Sequence, residues 1–245
     1  MRAASVVLIA LLPATLGAQS LEQRVAAVGT GTVRMSFAAQ PGVCGDGRNN
    51  IRTRQNDEQW EEDCSPQPVR VAIRLREHQL MEIRTYVGGR WRGAEGVTDL
   101  GTVPPQEASS YFLRLAEREG GLEGDPILPA TLADSVVIWP ALLRLARTPT
   151  VPPETRRSAV FWLGQAAGAT VAGSLDSIVG DARGDREIRR QAVFALSQRS
   201  HDEGVPSLIR IARANPDPEL RRTALFWLGQ SDDPRALKLF EEILR

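Results

Sequence analysis

Hydrophobic and polar residues follow two different periods along the chain, and the change falls near residue 104. Before it, apolar positions alternate with polar ones, as in β-strands that bury one face. After it, apolar residues recur every three to four positions, which is typical of amphipathic helices packed on a core. The pattern therefore predicts a small α+β domain at residues 19–103, followed by an all-α region at residues 104–245.

Two alternating runs predict a β-hairpin in the first region. Apolar side chains occupy every second position from Val69 to Leu75, and residues 79–87 alternate in the same way. A turn at Glu77-His78 would join the runs, which explains His78 as a turn residue. Residues 32–37 alternate as well and predict a further strand.

The ends of the first region carry capping and loop signals. Ser20-Leu21-Glu22-Gln23 has the S-x-x-Q form of a capping box, so a short helix is predicted to continue to about Val28. Residues 41–50 contain three glycines and predict a loop. Residues 105–119 predict a helix that joins the two regions, with Tyr111, Phe112 and Leu115 on its apolar face.

A ten-residue motif recurs three times in the second region and has the form Arg-Arg-x-Ala-[Val/Leu]-Phe-[Trp/Ala]-Leu-[Gly/Ser]-Gln. The copies begin at Arg156, Arg189 and Arg221, so they are 33 and 32 residues apart. A second helix is predicted beside each copy and once before the first one. Its aligned apolar positions are Leu142, Leu175, Leu208 and Phe240, followed by Leu145, Ile178, Ile211 and Ile243. This period predicts a helical solenoid.

The repeat motif, as in residues 220–229 and followed by Asp-Pro and a leucine-rich helix, resembles HEAT-like repeats of the short bacterial form. The resemblance covers about residues 126–245. It implies stacked antiparallel helix pairs with extended surfaces, and it implies protein binding as the common role. The unit at residues 127–134 lacks the Arg-Arg pair and contains Pro129, so we expect it to be a capping repeat.

The N-terminus has the layout of a secretory signal. Arg2 precedes an unbroken apolar run at residues 6–12, and small residues end at Ala18. The run is too short to cross a bilayer, which needs about 20 residues. We expect residues 1–18 to be removed and the mature chain to be a soluble, exported bacterial protein, either periplasmic or secreted. No later segment predicts a membrane span.

Export changes the interpretation of the two cysteines, Cys44 and Cys64, which lie 20 positions apart. An oxidising compartment favours a disulfide between them. A metal pair and a nucleophilic thiol are the alternatives. Neither has support, because no histidine lies within the loop and no C-x-x-C spacing occurs.

Composition narrows the function classes. The chain has 30 basic and 30 acidic residues, and 42% of its residues are hydrophobic. Balanced charge argues against a nucleic-acid binder, which usually has a basic excess. The apolar fraction argues against wholesale disorder. The sequence has only two histidines, His78 and His201, which argues against a metal site built from several histidines.

Local motifs for catalysis, cofactors and metals are absent from the sequence, so we expect none of these sites. His201 lies between Ser200 and Asp202 at a predicted helix start, where Asp202 is interpreted as a cap. An acidic cluster lies before the second cysteine but lacks the spacing of a calcium loop. It consists of Asp57, Glu58, Glu61, Glu62 and Asp63.

One surface of the repeats is a candidate binding site, because an arginine and a phenylalanine recur four residues apart on the face opposite the core. The pairs are Arg157–Phe161, Arg190–Phe194 and Arg222–Phe226. Exposed aromatic and arginine side chains are typical of binding hot spots. In the alternative, each phenylalanine packs sideways on the next repeat. Trp162 and Trp227 stand where the second copy has Ala195 and are interpreted as packing residues.

These patterns favour a non-enzymatic, monomeric interaction protein whose partner is another envelope or extracellular protein or peptide. An enzyme or enzyme subunit with its activity in the N-terminal domain is one alternative. The other is a basic-faced module for anionic envelope polymer or lipid headgroups. It would use the arginines on the outer face of the hairpin, which are Arg70, Arg74, Arg76 and Arg84.

Overall fold

The structure is a computed structural model with a β-rich N-terminal region followed by a helical C-terminal region. It describes residues 19–48, 50–53, 64–118, 122–166 and 169–244. The signal segment predicted at residues 1–18 and the acidic cluster at residues 57–63 lie outside the described residues.

The N-terminal region contains a four-stranded sheet in the order β5-β4-β1-β6, in which β1 pairs antiparallel with β4 and parallel with β6. Its elements are α1 (Leu21–Ala26), β1 (Gly31–Phe37), β2 (Val43–Gly45), β3 (Ile51–Thr53), β4 (Val69–Arg76), β5 (Gln79–Val87) and β6 (Val97–Thr102). The inner face of the sheet supplies the core, with Val33, Met35, Phe37, Val71 and Ile73 fully buried.

The predicted hairpin and capping box are confirmed. β4 and β5 pair across a turn in which Glu77 and His78 have φ of 52° and 64°. Positive φ at both central residues is the geometry of a type I′ turn, whose twist matches that of the strands. Ser20 and Gln23 make both reciprocal hydrogen bonds of the capping box at the start of α1.

Two parts of the sheet region differ from the sequence prediction. Residues 41–50 are not loop throughout, because β2 lies within them and pairs with β3. β6 has no counterpart in the prediction, since none of its residues is buried and its sequence has no apolar alternation. Its register comes from β1, a strand far away in the chain.

The disulfide is present and joins Cys44 in β2 to Cys64, with the two Cα atoms 5.5 Å apart. This distance is ordinary for a disulfide. The bond ties β2 to the chain just before the hairpin, so the predicted pairing is confirmed.

The helical region contains α2 (Pro105–Arg118), α3 (Ile127–Thr131), α4 (Trp139–Arg147), α5 (Pro153–Gln165), α6 (Ala169–Val179), α7 (Arg186–Ser197), α8 (His201–Ala214), α9 (Pro218–Leu228) and α10 (Pro234–Ile243). The repeat motif lies on α5, α7 and α9, which pack side by side in that order. The intervening helices α6, α8 and α10 also pack on one another in sequence. The helices therefore form two rows.

Helix α2 joins the two regions. It contacts α1, α3 and α4, and its Phe112 ring lies 6.3 Å from the ring of Phe37 in β1. Tyr111, Phe112 and Leu115 are buried, as predicted. The apolar core therefore continues from the sheet into the helices. Among the described residues, no helix has the length and apolar character needed to cross a membrane.

Candidate functional site

The outward surface of α5, α7 and α9 repeats one set of four side chains, which we call a rung. Each rung contains Glu, Arg, Phe and Gln at fixed spacing, and its last residue ends the helix or follows it. The rungs are Glu154, Arg157, Phe161 and Gln165 on α5; Glu187, Arg190, Phe194 and Gln198 on α7; and Glu219, Arg222, Phe226 and Gln230 on α9. The opposite face of each helix is buried, as at Ile188, Ala192 and Leu196.

The three phenylalanines have different surroundings. Phe161 is 41% exposed and Phe226 is 58% exposed. Phe194 is half-buried, and its ring lies 5.2 Å from that of Trp227 on α9, the next helix that carries the motif. Sideways packing therefore holds for the middle rung, whereas the two outer rungs expose their aromatic rings.

The three arginines of the rungs differ in the same way. Arg190 lies 2.7 Å from Glu187 and 3.8 Å from Glu219, so its charge is neutralised within the surface. Arg157 and Arg222 are exposed, and neither forms an ion pair with any residue that the structure describes. The two free guanidinium groups thus accompany the two exposed rings.

Two tryptophans, Trp162 and Trp227, pack against the phenylalanine rings of this surface. Trp162 is half-buried, its ring lies 5.1 Å from that of Phe161, and its Nε1 donates a hydrogen bond to Asp125. Ser158 donates to the same carboxylate oxygen, at 2.7 Å. Trp227 is half-buried as well and lies edge-on to Phe226 at 5.0 Å. Both indoles pack against phenylalanine rings and hold those rings in place.

The first arginine in two of the three Arg-Arg pairs has a role that the sequence analysis missed. Arg156 is buried and donates to Asp185, the N-cap of α7, at 2.9 Å. Arg189 is also buried and lies 3.6 Å from Asp217, the N-cap of α9. We call Arg156–Asp185 and Arg189–Asp217 the cross-repeat ion pairs. They join one repeat to the start of the next.

A sequence signal for these pairs exists. An aspartate stands four residues before the second and third copies of the repeat motif, at Asp185 and Asp217. Such a position is favourable for an N-cap, and each side chain accepts hydrogen bonds from backbone N–H groups of its helix. The first copy has Pro152 there instead, without a side-chain cap.

The N-cap aspartates are held in the charged form. Burial by itself would raise the pKa of Asp185, but hydrogen bonds from the Glu187 backbone and from Arg156 outweigh it, and the pKa lies below its ordinary value. The Glu219 backbone N–H lowers the pKa of Asp217, and Arg186 and Arg189 lower it further.

The arginines of the hairpin are largely engaged within the sheet. Arg74 and Arg84 both pair with the buried carboxylate of Glu82. Arg70 donates to the carbonyl oxygens of Gly88 and Gly89, and its guanidinium lies 5.9 Å from the Trp91 ring. These contacts reduce the charge that the face offers to an anionic surface.

A cleft of about 130 Å³ lies between α1, α2 and the hairpin turn. Leu75, Leu80 and Leu115 contribute to its apolar wall. Of its charged groups, Glu22 pairs with Arg118 at 2.7 Å and with a second arginine of α2.

The interpretation of Asp202 as a helix cap is wrong. Helix α8 begins one residue before it, so that Ser200 is at the N-cap position and Asp202 lies in the first turn. The Asp202 side chain is 95% exposed, and that of His201 is 62% exposed. Within the described part of the chain, no cluster of His, Cys, Asp and Glu side chains could hold a metal ion.

The comparisons with known proteins agree with the repeat pattern over part of the chain. Residues 175–245 match the family model for HEAT repeats. The matched segment includes two of the three copies of the repeat motif and the helices that follow them. No curated protein matches the chain. The resemblance expected over residues 126–245 is thus supported for its C-terminal part.

Proposed function

We propose that this protein is an exported, non-enzymatic scaffold or adaptor that binds another envelope or extracellular protein or peptide. Its helical region is a HEAT-like solenoid from about residue 126 to residue 245, and the binding site is the outward surface of α5, α7 and α9. The chain acts as a monomer in the periplasm or outside the cell, after removal of residues 1–18. The Cys44–Cys64 disulfide supports an oxidising compartment.

The observation that carries this proposal is the pairing of exposed rings with unpaired arginines at the outer rungs. Phe161 and Phe226 leave about half of their surface in water, next to Arg157 and Arg222. Aromatic rings supply apolar contact area and arginines supply directional hydrogen bonds, and both are enriched at the centres of protein interfaces. The HEAT repeat match favours the same role.

Replacing Phe161 and Phe226 together with Ala tests the binding site. Immobilised mature protein is exposed to envelope extract, and the captured partner is identified and quantified by mass spectrometry. We expect the double variant to lose the partner while its melting temperature changes little, because both rings are exposed. Export is checked by N-terminal sequencing of the native protein, which is expected to begin at Gln19.

Phe194→Ala is the matched control, since it removes the same ring from the middle rung. Its ring packs on Trp227, so this variant should melt at a lower temperature and still capture the partner. Full capture by the double variant, or a loss of stability in it as large as in the control, would contradict the proposed site.

A further inference from the structure

We infer that the occupant of this surface is an extended, acidic peptide segment that contacts the two outer rungs and passes over the middle one. This inference rests on the proposed function and names the class of partner for the same site. It follows from the charges of the rungs, the spacing of the helices and the polar groups at the helix ends.

Of the three rungs, only the outer two combine an exposed phenylalanine with an arginine that has no ion pair to the described residues. Arg190 of the middle rung is paired with Glu187 and Glu219, and Phe194 is covered by Trp227. A partner would gain little there, because its carboxylate would compete with two carboxylates already in place. The binding groups are therefore divided between two places, one on α5 and one on α9.

The distance between these places selects the conformation of the peptide. Packed helices lie about 8–10 Å apart, so two steps from α5 to α9 cover roughly 16–20 Å. An extended chain rises about 3.1–3.4 Å per residue, and five to six residues span this distance. An α-helix rises only about 1.5 Å per residue and needs about eleven to thirteen residues for the same span.

The ends of the outer rungs favour the extended form. Gln165 and Gln230 are exposed, and their side-chain amides make no hydrogen bond to the residues that the structure describes. A glutamine amide offers both donors and an acceptor. An extended peptide has free backbone N–H and C=O groups for them, whereas a helix has already used those groups internally.

Each anchor of the peptide combines two side chains. The arginine and the phenylalanine of a rung are four residues apart on one helix face, about 5–6 Å between their Cβ atoms. Neighbouring residues of an extended peptide, one acidic and one apolar, reach both. The carboxylate neutralises Arg157 or Arg222, and the apolar side chain covers Phe161 or Phe226.

Synthetic peptides test the spacing directly. Three fluorescein-labelled peptides carry two Asp-Leu pairs separated by one, four or seven prolines, which set the two Asp residues about 9, 19 and 28 Å apart in the polyproline II conformation. A fourth peptide is alanine-rich and helical, with its pairs eleven residues apart. Binding to the full mature chain is measured by fluorescence anisotropy. We expect the four-proline peptide to bind about tenfold more tightly than the other three. The one- and seven-proline peptides engage one rung, and the helical peptide spans both rungs but has no free backbone groups for Gln165 and Gln230.

Variants identify the groups that the peptide uses. Arg157→Gln with Arg222→Gln should weaken binding of the four-proline peptide about tenfold, because two charge-assisted contacts are lost. Arg190→Gln is the matched control and should leave the affinity unchanged. Circular dichroism spectra of the variants verify that all of them are folded.

Equal affinity for the three proline spacings, or tighter binding of the helical peptide, would overturn the inference. A weakening by Arg190→Gln as large as that of the outer double variant would overturn it as well. If no peptide binds while Phe161→Ala with Phe226→Ala still abolishes capture of the envelope partner, the extended segment is wrong and the proposed function stands. If neither effect occurs, both fail.

Discussion

At the scale of single residues, the two arginines at the start of the first two repeat motifs have opposite roles. Arg189 is buried against Asp217, whereas the next residue, Arg190, keeps 49% of its side chain exposed. Consecutive residues of an α-helix point about 100° apart, so one faces the neighbouring repeat and the other faces solvent. The same difference between buried and exposed holds for Arg156 and Arg157.

Because of the N-cap aspartates, the free energy of unfolding should depend on pH in the acid range. The pKa values of Asp185 and Asp217 are lowered, and the hydrogen bond from Arg235 lowers the pKa of Asp233 to about 2. A carboxyl with a lowered pKa stabilises the fold above its unfolded pKa, and this contribution is lost as the pH falls through the folded value. We expect the free energy of unfolding, measured with urea, to fall between about pH 4 and pH 2.

Asp233→Asn separates the charge from the cap, because Asn accepts the same backbone hydrogen bonds. The variant should show a smaller loss of stability over this acid range than the parent chain. An unchanged acid dependence in the variant would contradict a role for the Asp233 carboxylate.

The phenylalanines show what a repeat pattern cannot predict at this scale. Phe161 and Phe194 have the same position in their motifs. The residue on the next repeat helix that lies beside the ring differs between the two. Trp227 covers Phe194, whereas Ala195 is the corresponding residue for Phe161. The sequence predicts which residues face outward. Their exposure depends on the size of a neighbour more than thirty residues away.

At the scale of elements, the prediction succeeds where the signal is local or periodic. The hairpin has a turn of its own, and the repeat helices recur at a fixed period, so both are found. β6 pairs with β1 across more than sixty residues and carries polar side chains on both faces. Such a strand takes its hydrogen bonds from its partner and has no pattern by which to be recognised.

Replacing a glycine at the contact between α7 and α8 tests how closely these two helices pack. Gly204 lies in the first turn of α8, and a Cβ there would overlap the carbonyl oxygen of Leu196 at the end of α7. We expect Gly204→Ala to lower the free energy of unfolding by about 1–3 kcal/mol, because backbone must move to admit the methyl group. Urea denaturation followed by circular dichroism measures the change.

Gly173→Ala is the matched control in α6. No atom lies within 4 Å of a Cβ at Gly173, so the added methyl meets open space. Alanine in a helix interior is favoured over glycine by roughly 0.5–1 kcal/mol. The control should therefore gain stability. If both variants lose equal stability, the close contact between α7 and α8 is not the cause.

At the scale of the whole molecule, a continuous core couples the sheet to the helices. Phe112 of α2 packs on Phe37 of β1, and the buried residues of α2 also meet α3 and α4. A change of stability in the sheet region should therefore reach the helical region. The charge balance of the sequence gives no information about this coupling, because the coupling depends on which apolar faces pack together.

Removing the disulfide tests this coupling. Replacing Cys44 and Cys64 with Ser opens a loop of 20 residues and is expected to lower the free energy of unfolding by roughly 3 kcal/mol. Far-ultraviolet circular dichroism mainly reports the helices, and its melting transition should move to lower temperature with the same midpoint as the tryptophan fluorescence. A helical transition that stays in place would contradict a shared core.

The cross-repeat ion pairs have a consequence for how such a chain lengthens. One unit of about thirty-two residues contains both an aspartate at the start of its motif helix and a buried arginine four residues later, as in Asp185 and Arg189. The aspartate forms an ion pair with the arginine of the preceding unit, and the arginine forms one with the aspartate of the following unit. A tandem duplication of the unit would bring both halves of the connection with it. Growth by gene duplication then needs no compensating change elsewhere, and the outward surface gains a rung with every copy.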